Sequence, residues 1–168
     1  MFGLLGKSLG HSFSKDYFTK KFSMLNLNHI YQNIELDNIS DIIPFVKEHK
    51  NLKGFNVTVP YKEEIIPFLD EIDSVAKEVG AVNTVKVENG RLKGFNTDVI
   101  GFEELLKKTP SVNEALILGS GGASKSVQYV LRKENIPFRI ASRGFELGVR
   151  SEELGVSYGE INSTGFSP

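Results

Sequence analysis

Ala115-Leu116-Ile117-Leu118-Gly119-Ser120-Gly121-Gly122-Ala123-Ser124 decides the fold class. Four apolar residues read as a short buried strand, and the glycine loop after them opens a helix over Lys125 to Arg132. Pro137 to Ala141 is the next strand. Strand, glycine loop, helix, strand is the opening of a doubly wound α/β domain that binds a dinucleotide. The glycines let the backbone approach a pyrophosphate, and the helix N-terminus favours its charge. Gly119, Gly121, Gly122 and Ala123 are the candidate contacts, with Ala123 an allowed variant of the third glycine. The second strand ends in Ala141-Ser142-Arg143, about twenty residues on, at the usual ribose-contact position. No acidic residue stands there. Ser142 and Arg143 suit a 2′-phosphate, which points to NADP. A solvated arginine after a strand is the plainer reading of Arg143.

Upstream, strands and helices also alternate. Met1 to Leu5 reads as a buried strand and Gly6 to Ser12 as a loop. Ser14 is expected to cap a helix over Lys15 to Met24, with Tyr17, Phe18, Phe22 and Leu25 as its apolar stripe. Ile30 to Leu36 is a strand, and Asp37 or Ser40 caps a helix ending before Asn51. Gly54 to Val59 is a β-branched strand that Pro60 ends. Tyr61 to Val79 is expected to be helical in two pieces, stopped by Gly80. Val82 to Val87 and Leu92 to Asn96 flank Asn89-Gly90, a strong hairpin signal. Thr97 or Asp98 caps a helix to Lys108. Thr109-Pro110-Ser111 marks a boundary, so domains at 1–108 and 109–168 are expected. The later domain has room for two or three strands, where two βαβαβ halves would have about six.

Bulk properties narrow the function classes. The chain has 168 residues, 40% of them apolar, and a net charge of −1, with a pI near 6.3. No basic face favours nucleic acid or an anionic membrane. The absence of cysteine excludes disulfides, thiolate metal sites and a cysteine nucleophile. His11, His29 and His49 lack metal-ligand spacing and read as solvated or turn residues, so no metal site is expected. The short apolar start, Phe2 to Leu5, is too brief for a signal core or a membrane span, and a cytoplasmic protein is expected.

A polar set falls at the ends of the upstream strands: Ser12-Phe13-Ser14, Asn56-Val57-Thr58-Val59-Pro60-Tyr61-Lys62, Ala81-Val82-Asn83-Thr84 and Asn96-Thr97-Asp98. Strand ends on a rigid sheet are where α/β proteins mount their chemistry. Hydroxyls, carboxamides, one lysine and one aspartate suit a small polyhydroxylated acid. Reducing a ketone requires a proton delivered to oxygen, and Lys62 held near Asp98 has the chemistry for it. Such help is worth ~10²–10⁴-fold. Burial would lower the lysine pKa and the aspartate would raise it. The alternative is a solvated first-turn lysine and an ordinary capping aspartate. Ser12 and Ser14, at i and i+2, can both donate to one carboxylate, or cap the helix. Asn56 and Thr58 share one side of their strand, facing a ligand or solvent. Asn83 is a ligand or a turn asparagine.

The ordered set G-H-S-F-S-K, N-V-T-V-P-Y-K, G-A-V-N-T and G-F-N-T-D-V-I-G resembles the shikimate dehydrogenases, from Met1 to about Arg143. G-S-G-G-A-S-K and S-R resemble their cofactor motifs. The resemblance implies an α/β substrate-binding domain followed by the first part of a Rossmann-like NADP-binding domain. It implies NADP-dependent interconversion of shikimate and 3-dehydroshikimate, in chorismate and aromatic amino acid biosynthesis. Lys62 and Asp98 correspond to the catalytic pair. Ser12 and Ser14 correspond to the carboxylate clamp, and Asn56, Thr58 and Asn83 to further substrate contacts. Quinate is an alternative substrate. The family also has later Rossmann strands, a returning C-terminal segment and an N-[ST]-T-P-L-G-M loop. Ile161 to Gly165 resembles a damaged start of that loop, so the tail is expected to be a truncated or frame-shifted remnant. A shikimate-binding module without turnover is the second expectation.

Overall fold

The computed structural model describes residues 1–142 and the backbone of Gly155–Ser157. The chain divides into two compact units, Met1–Thr97 and Asp98–Pro168. Both are mixed α/β.

The first unit holds a six-stranded sheet. Its strands are β1 (Phe2–Gly6), β2 (Tyr31–Glu35), β3 (Gly54–Val57), β4 (Glu71–Ile72), β5 (Thr84–Glu88) and β6 (Arg91–Phe95), in the order β2-β1-β3-β5-β6-β4. β1 pairs in parallel with β2 and β3, whereas β3-β5 and β5-β6 are antiparallel. The burial patterns follow this division. β1 is buried along almost its whole length, while β5 and β6 alternate between buried and exposed. A strand covered on both faces reads as a continuous apolar run, and one covered on a single face alternates.

The register puts Leu5, Ile34, Phe55, Val57, Val85 and Leu92 on one face. That face forms the main core with Ile42 and Val46 of helix α2 (Ile42–Glu48) and with Tyr61 and Ile65. The opposite face carries Phe2, Leu4 and Tyr31, then Asn56 and Thr84. Helix α1 (Ser14–Met24) covers its apolar part with Phe18 and Phe22. Only these two residues of the expected stripe pack; Tyr17 and Leu25 stand largely exposed. Gly54 is required by a close approach, since a Cβ there would lie 2.7 Å from the Val85 carbonyl oxygen.

Several local expectations change. α1 begins at Ser14, and it is Ser12 Oγ that accepts a hydrogen bond, from the Ser14 N–H at 3.3 Å. The N-cap position falls on Phe13, whose side chain makes no capping hydrogen bond, so Ser14 is the first helical residue rather than the cap. Asn38, not Asp37 or Ser40, caps the turn before α2, accepting from the Ser40 N–H at 3.0 Å. β3 ends at Val57, and Val59 is exposed rather than packed. The stretch Tyr61 to Val79 is not two helical pieces. It holds α3 (Tyr61–Glu64), a single 3₁₀ turn, the two-residue strand β4 and α4 (Ser74–Val79). Asp70 breaks the helix by accepting the Leu92 N–H at 2.6 Å, and Asp73 restarts it by capping Val75 at 3.0 Å. Gly80 ends α4 in the left-handed conformation, φ 70°, as a C-terminal glycine should. Asn89 and Gly90, both at positive φ, turn the β5-β6 hairpin.

The second unit contains α5 (Asp98–Lys107), β7 (Ala115–Leu118), α6 (Gly122–Lys133), β8 (Phe138–Ser142) and β9 (Gly155–Ser157). Its three strands are parallel, in the order β7-β8-β9. Ile117, Leu131, Phe138 and Ile140 form its core. α5 belongs here because Phe102 packs on that core and Glu103 pairs with Lys133 at 2.8 Å. The units therefore meet in sequence before α5, at Thr97, rather than at Lys108.

Candidate functional site

The C-terminal ends of β1 and β3, together with the entry to β5, carry most of the polar set. On the face beside α1, the side chains form one hydrogen-bonded string. Tyr31 Oη donates to Asn56 Oδ1 at 2.9 Å. Asn56 Nδ2 donates to Thr84 Oγ1 at 3.2 Å, and Thr84 Oγ1 donates to Asn83 Oδ1 at 3.1 Å. Asn83 then holds Thr97 twice: its Oδ1 accepts the Thr97 N–H at 2.8 Å, and its Nδ2 donates to Thr97 Oγ1 at 2.9 Å. At the other end, Ser14 lies near enough to the Tyr31 phenol to act on its ionisation. Burial pushes that phenol up to about 12, against the smaller lowering effect of Ser14. It stays a neutral donor at any ordinary pH.

This string joins Asn56 and Asn83, and Ser14, whose N–H donates to Ser12 Oγ, lies beside its Tyr31 end. Asn83 is buried, as is Asn96, whose Nδ2 donates to the Ala81 carbonyl at 2.9 Å. Thr58 lies just beyond β3, tied by its N–H to the Leu5 carbonyl at 2.9 Å. Lys62 is half-buried in the first turn of α3, and its own carbonyl accepts the Val82 N–H at 2.7 Å. That bond anchors the lysine's backbone beside the residue preceding Asn83. Asp98 opens α5 in the second unit.

A groove of about 350 Å³ runs along the same face. Phe2, Phe18, Phe22 and Phe95 wall it, and Tyr31, Asn56 and Thr84 contribute polar atoms. Tyr31, Thr84 and Thr97 escaped the sequence reading as site residues. Thr84 and Thr97 stand inside the quoted motifs, but Tyr31 looks like any aromatic residue at a strand start.

In the second unit, Gly119 takes φ 106° and Gly121 caps α6 in extended backbone. A Cβ on either glycine would meet nothing within 4 Å. Open space thus lies over a helix start, where backbone N–H groups favour an anion such as a pyrophosphate. Ser142 is buried at the end of β8. Arg143 and the Ile161 to Gly165 segment lie outside the described residues. Among the described residues no cluster of His, Cys, Asp or Glu could hold a metal ion, and no helix is long and apolar enough to cross a membrane.

Residues 4–85 match the family described as the shikimate dehydrogenase substrate binding domain. A shikimate dehydrogenase (NADP(+)) of Halothermothrix orenii is 43% identical over 138 residues, covering 79% of this chain and 47% of that protein. The crystal structure of shikimate dehydrogenase 1 from Peptoclostridium difficile superposes with a TM-score of 0.87 at 35% identity, covering 95% of this chain and 62% of that one. The Thermus thermophilus enzyme in complex with NADP(H) and shikimate gives 0.75 at 35% identity, covering 84% and 55%. The chain spans about half the length of the first of these relatives. Residues 4–85 thus belong to the shikimate dehydrogenase substrate binding domain family, and the strand, glycine loop and helix that follow align with the same relatives.

Proposed function

We propose that the first unit binds shikimate and 3-dehydroshikimate. With NADP bound at the glycine loop, the protein interconverts them in the route to chorismate and the aromatic amino acids. One observation carries the reading: Asn56 and Asn83, far apart in sequence, meet in a single hydrogen-bonded string, with Ser14 beside its Tyr31 end, on the domain that matches the shikimate dehydrogenase substrate binding domain. Ser12 and Ser14 donate to the substrate carboxylate. Asn56, Thr58 and Asn83 contact its ring hydroxyls, where fixed carboxamides discriminate strongly because an absent partner leaves them unsatisfied.

Lys62 delivers a proton to the ketone oxygen during reduction and takes it back in the reverse direction, with Asp98 as its carboxylate partner. Gly119, Gly121, Gly122 and Ala123 hold the pyrophosphate, and Ser142 with Arg143 holds the 2′-phosphate. The nicotinamide supplies the hydride when bound. The protein acts as a cytoplasmic enzyme on a small molecule, with neither nucleic acid nor membrane as partner.

Two measurements test the proposal. Calorimetry with shikimate should show binding that weakens in Ser12→Ala and Asn83→Ala. NADPH oxidation with 3-dehydroshikimate should depend on Lys62. Turnover that survives Lys62→Ala removes the proton-transfer assignment. Binding without turnover leaves a substrate-binding module, and absence of binding rejects the reading.

A further inference from the structure

We propose that Tyr31 is a positioning residue of the substrate site, one that fixes which edge of the Asn56 carboxamide faces the ligand and ties that choice to Ser14. The inference rests on the shikimate-site reading of the first unit, and it adds a residue that contacts its ligands rather than the substrate.

A carboxamide has two chemically different edges of nearly the same shape, and its orientation is decided by its partners. A neutral phenol has one hydrogen to give. At Tyr31 it goes to Asn56 Oδ1 at 2.9 Å. The Asn56 carbonyl is therefore turned toward Tyr31 and its amino group toward Thr84. One of the two amino hydrogens reaches Thr84 Oγ1 at 3.2 Å, which leaves the other to donate to a ligand oxygen. The Thr97 N–H, whose direction the backbone sets, pins Asn83 Oδ1 at the far end of the same string. The two carboxamides are thus oriented from opposite ends, Asn56 by a phenol and Asn83 by a backbone amide.

Packing holds the phenol in place. Tyr31 is almost fully buried, at 4% exposure, and its ring stacks on Phe18 of α1 with centroids 4.6 Å apart and planes 15° apart. α1 begins with Ser14. The helix that carries one side of the carboxylate clamp therefore packs on the ring whose hydroxyl orients Asn56. Raising the phenol's pKa to about 12 keeps the donor present throughout the useful pH range. An ionised phenol could not donate and would let the carboxamide turn over.

Tyr31→Phe keeps the ring and its stack and removes only the hydroxyl. In the 168-residue chain it is expected to weaken shikimate binding about five- to tenfold by calorimetry. The same substitution made in an Asn56→Ala background is expected to change binding by less than about twofold, because its route of action is gone. In ¹⁵N-resolved NMR spectra of the unliganded chain, the Asn56 side-chain amide pair should move in Tyr31→Phe while backbone amides of the main core around Ile42, Val46 and Ile65 stay in place. A purely structural role for Tyr31 would reduce binding equally in both backgrounds and leave that amide pair no more perturbed than its surroundings. Unchanged binding in Tyr31→Phe, an undiminished loss in the Asn56→Ala background, or an unmoved amide pair each overturns the proposal. If the parent chain binds no shikimate, the functional reading fails, and the amide pair alone then decides whether Tyr31 orients Asn56.

Discussion

In Met1–Thr97 the candidate ligand groups are side chains held by one another. In the loop before α6 they are backbone N–H groups at a helix start, beneath open space. The first arrangement has direction built into it: a phenol fixes one carboxamide, a backbone amide fixes the other, and each hydroxyl between them has an assigned partner. The second has little side chain at all, and its essential property is room, since a Cβ on Gly119 or Gly121 would touch nothing. A ligand with several stereochemically distinct hydroxyls needs the first kind of surface. A diphosphate, alike from most directions, needs only the second. The two regions should therefore fail in opposite ways, one when atoms are removed and the other when they are added.

The largest expected effect concerns chemistry rather than recognition. Lys62→Ala should lower NADPH-dependent reduction of 3-dehydroshikimate by ~10²–10⁴-fold, while shikimate binding by calorimetry falls far less. An equal loss in both would make Lys62 a ligand like its neighbours. Next comes deletion from the string. Asn83→Ala removes a buried carboxamide with three partners and should cost about 1–3 kcal/mol of unfolding free energy, read by urea denaturation, together with shikimate binding. If stability is untouched, the string is not a preorganised element. Addition to the loop follows. Gly121→Ala, at φ −78° with open space ahead, should leave stability within about 0.5 kcal/mol. An extra methyl where the pyrophosphate approaches should still weaken NADPH binding about tenfold or more. A stability loss there without a binding loss would erase the contrast between the regions.

The smallest effect is alkaline. Tyr31's pKa lies above the ordinary 10.0, at about 12 in the folded protein, so folding favours its neutral form. That contribution is complete below pH 10.0 and is lost as the pH rises toward about 12. Tyr31→Phe should accordingly show a shallower decline of stability over this window in pH-dependent denaturation. Tyr61, raised by burial and by Glu64, Asp37 and Asp41, supplies part of the slope that persists.

Local chemistry made much of this molecule legible. Asn89-Gly90, Gly80 and the glycine loop each impose a backbone geometry that few other residues accept, and each sits where expected. β4 was not legible, because two residues have no period and gain their identity only by pairing with Lys93 and Gly94. That the N-cap falls on Phe13 rather than Ser14 depends on where the helix starts, to within a residue, and sequence does not resolve that. Tyr31 was missed for a similar reason. Its partner Asn56 is twenty-five residues away, and only the sheet order, with β1 between their strands, brings the two side chains within reach.

The two-residue turn at Asn89-Gly90 acts as a gear for the distant site. It sets Glu88 opposite Arg91, and tooth by tooth this meshes Thr84 with Phe95 at the other end of the hairpin. There Asn83 reaches Thr97. One residue inserted at the turn would slip the gear by a tooth and turn each side chain of β6 to the opposite face. The Asn83 grip on Thr97 would disengage without any change to a residue that touches a ligand. Loop insertions are usually harmless, but in this hairpin the tip is mechanically part of the site.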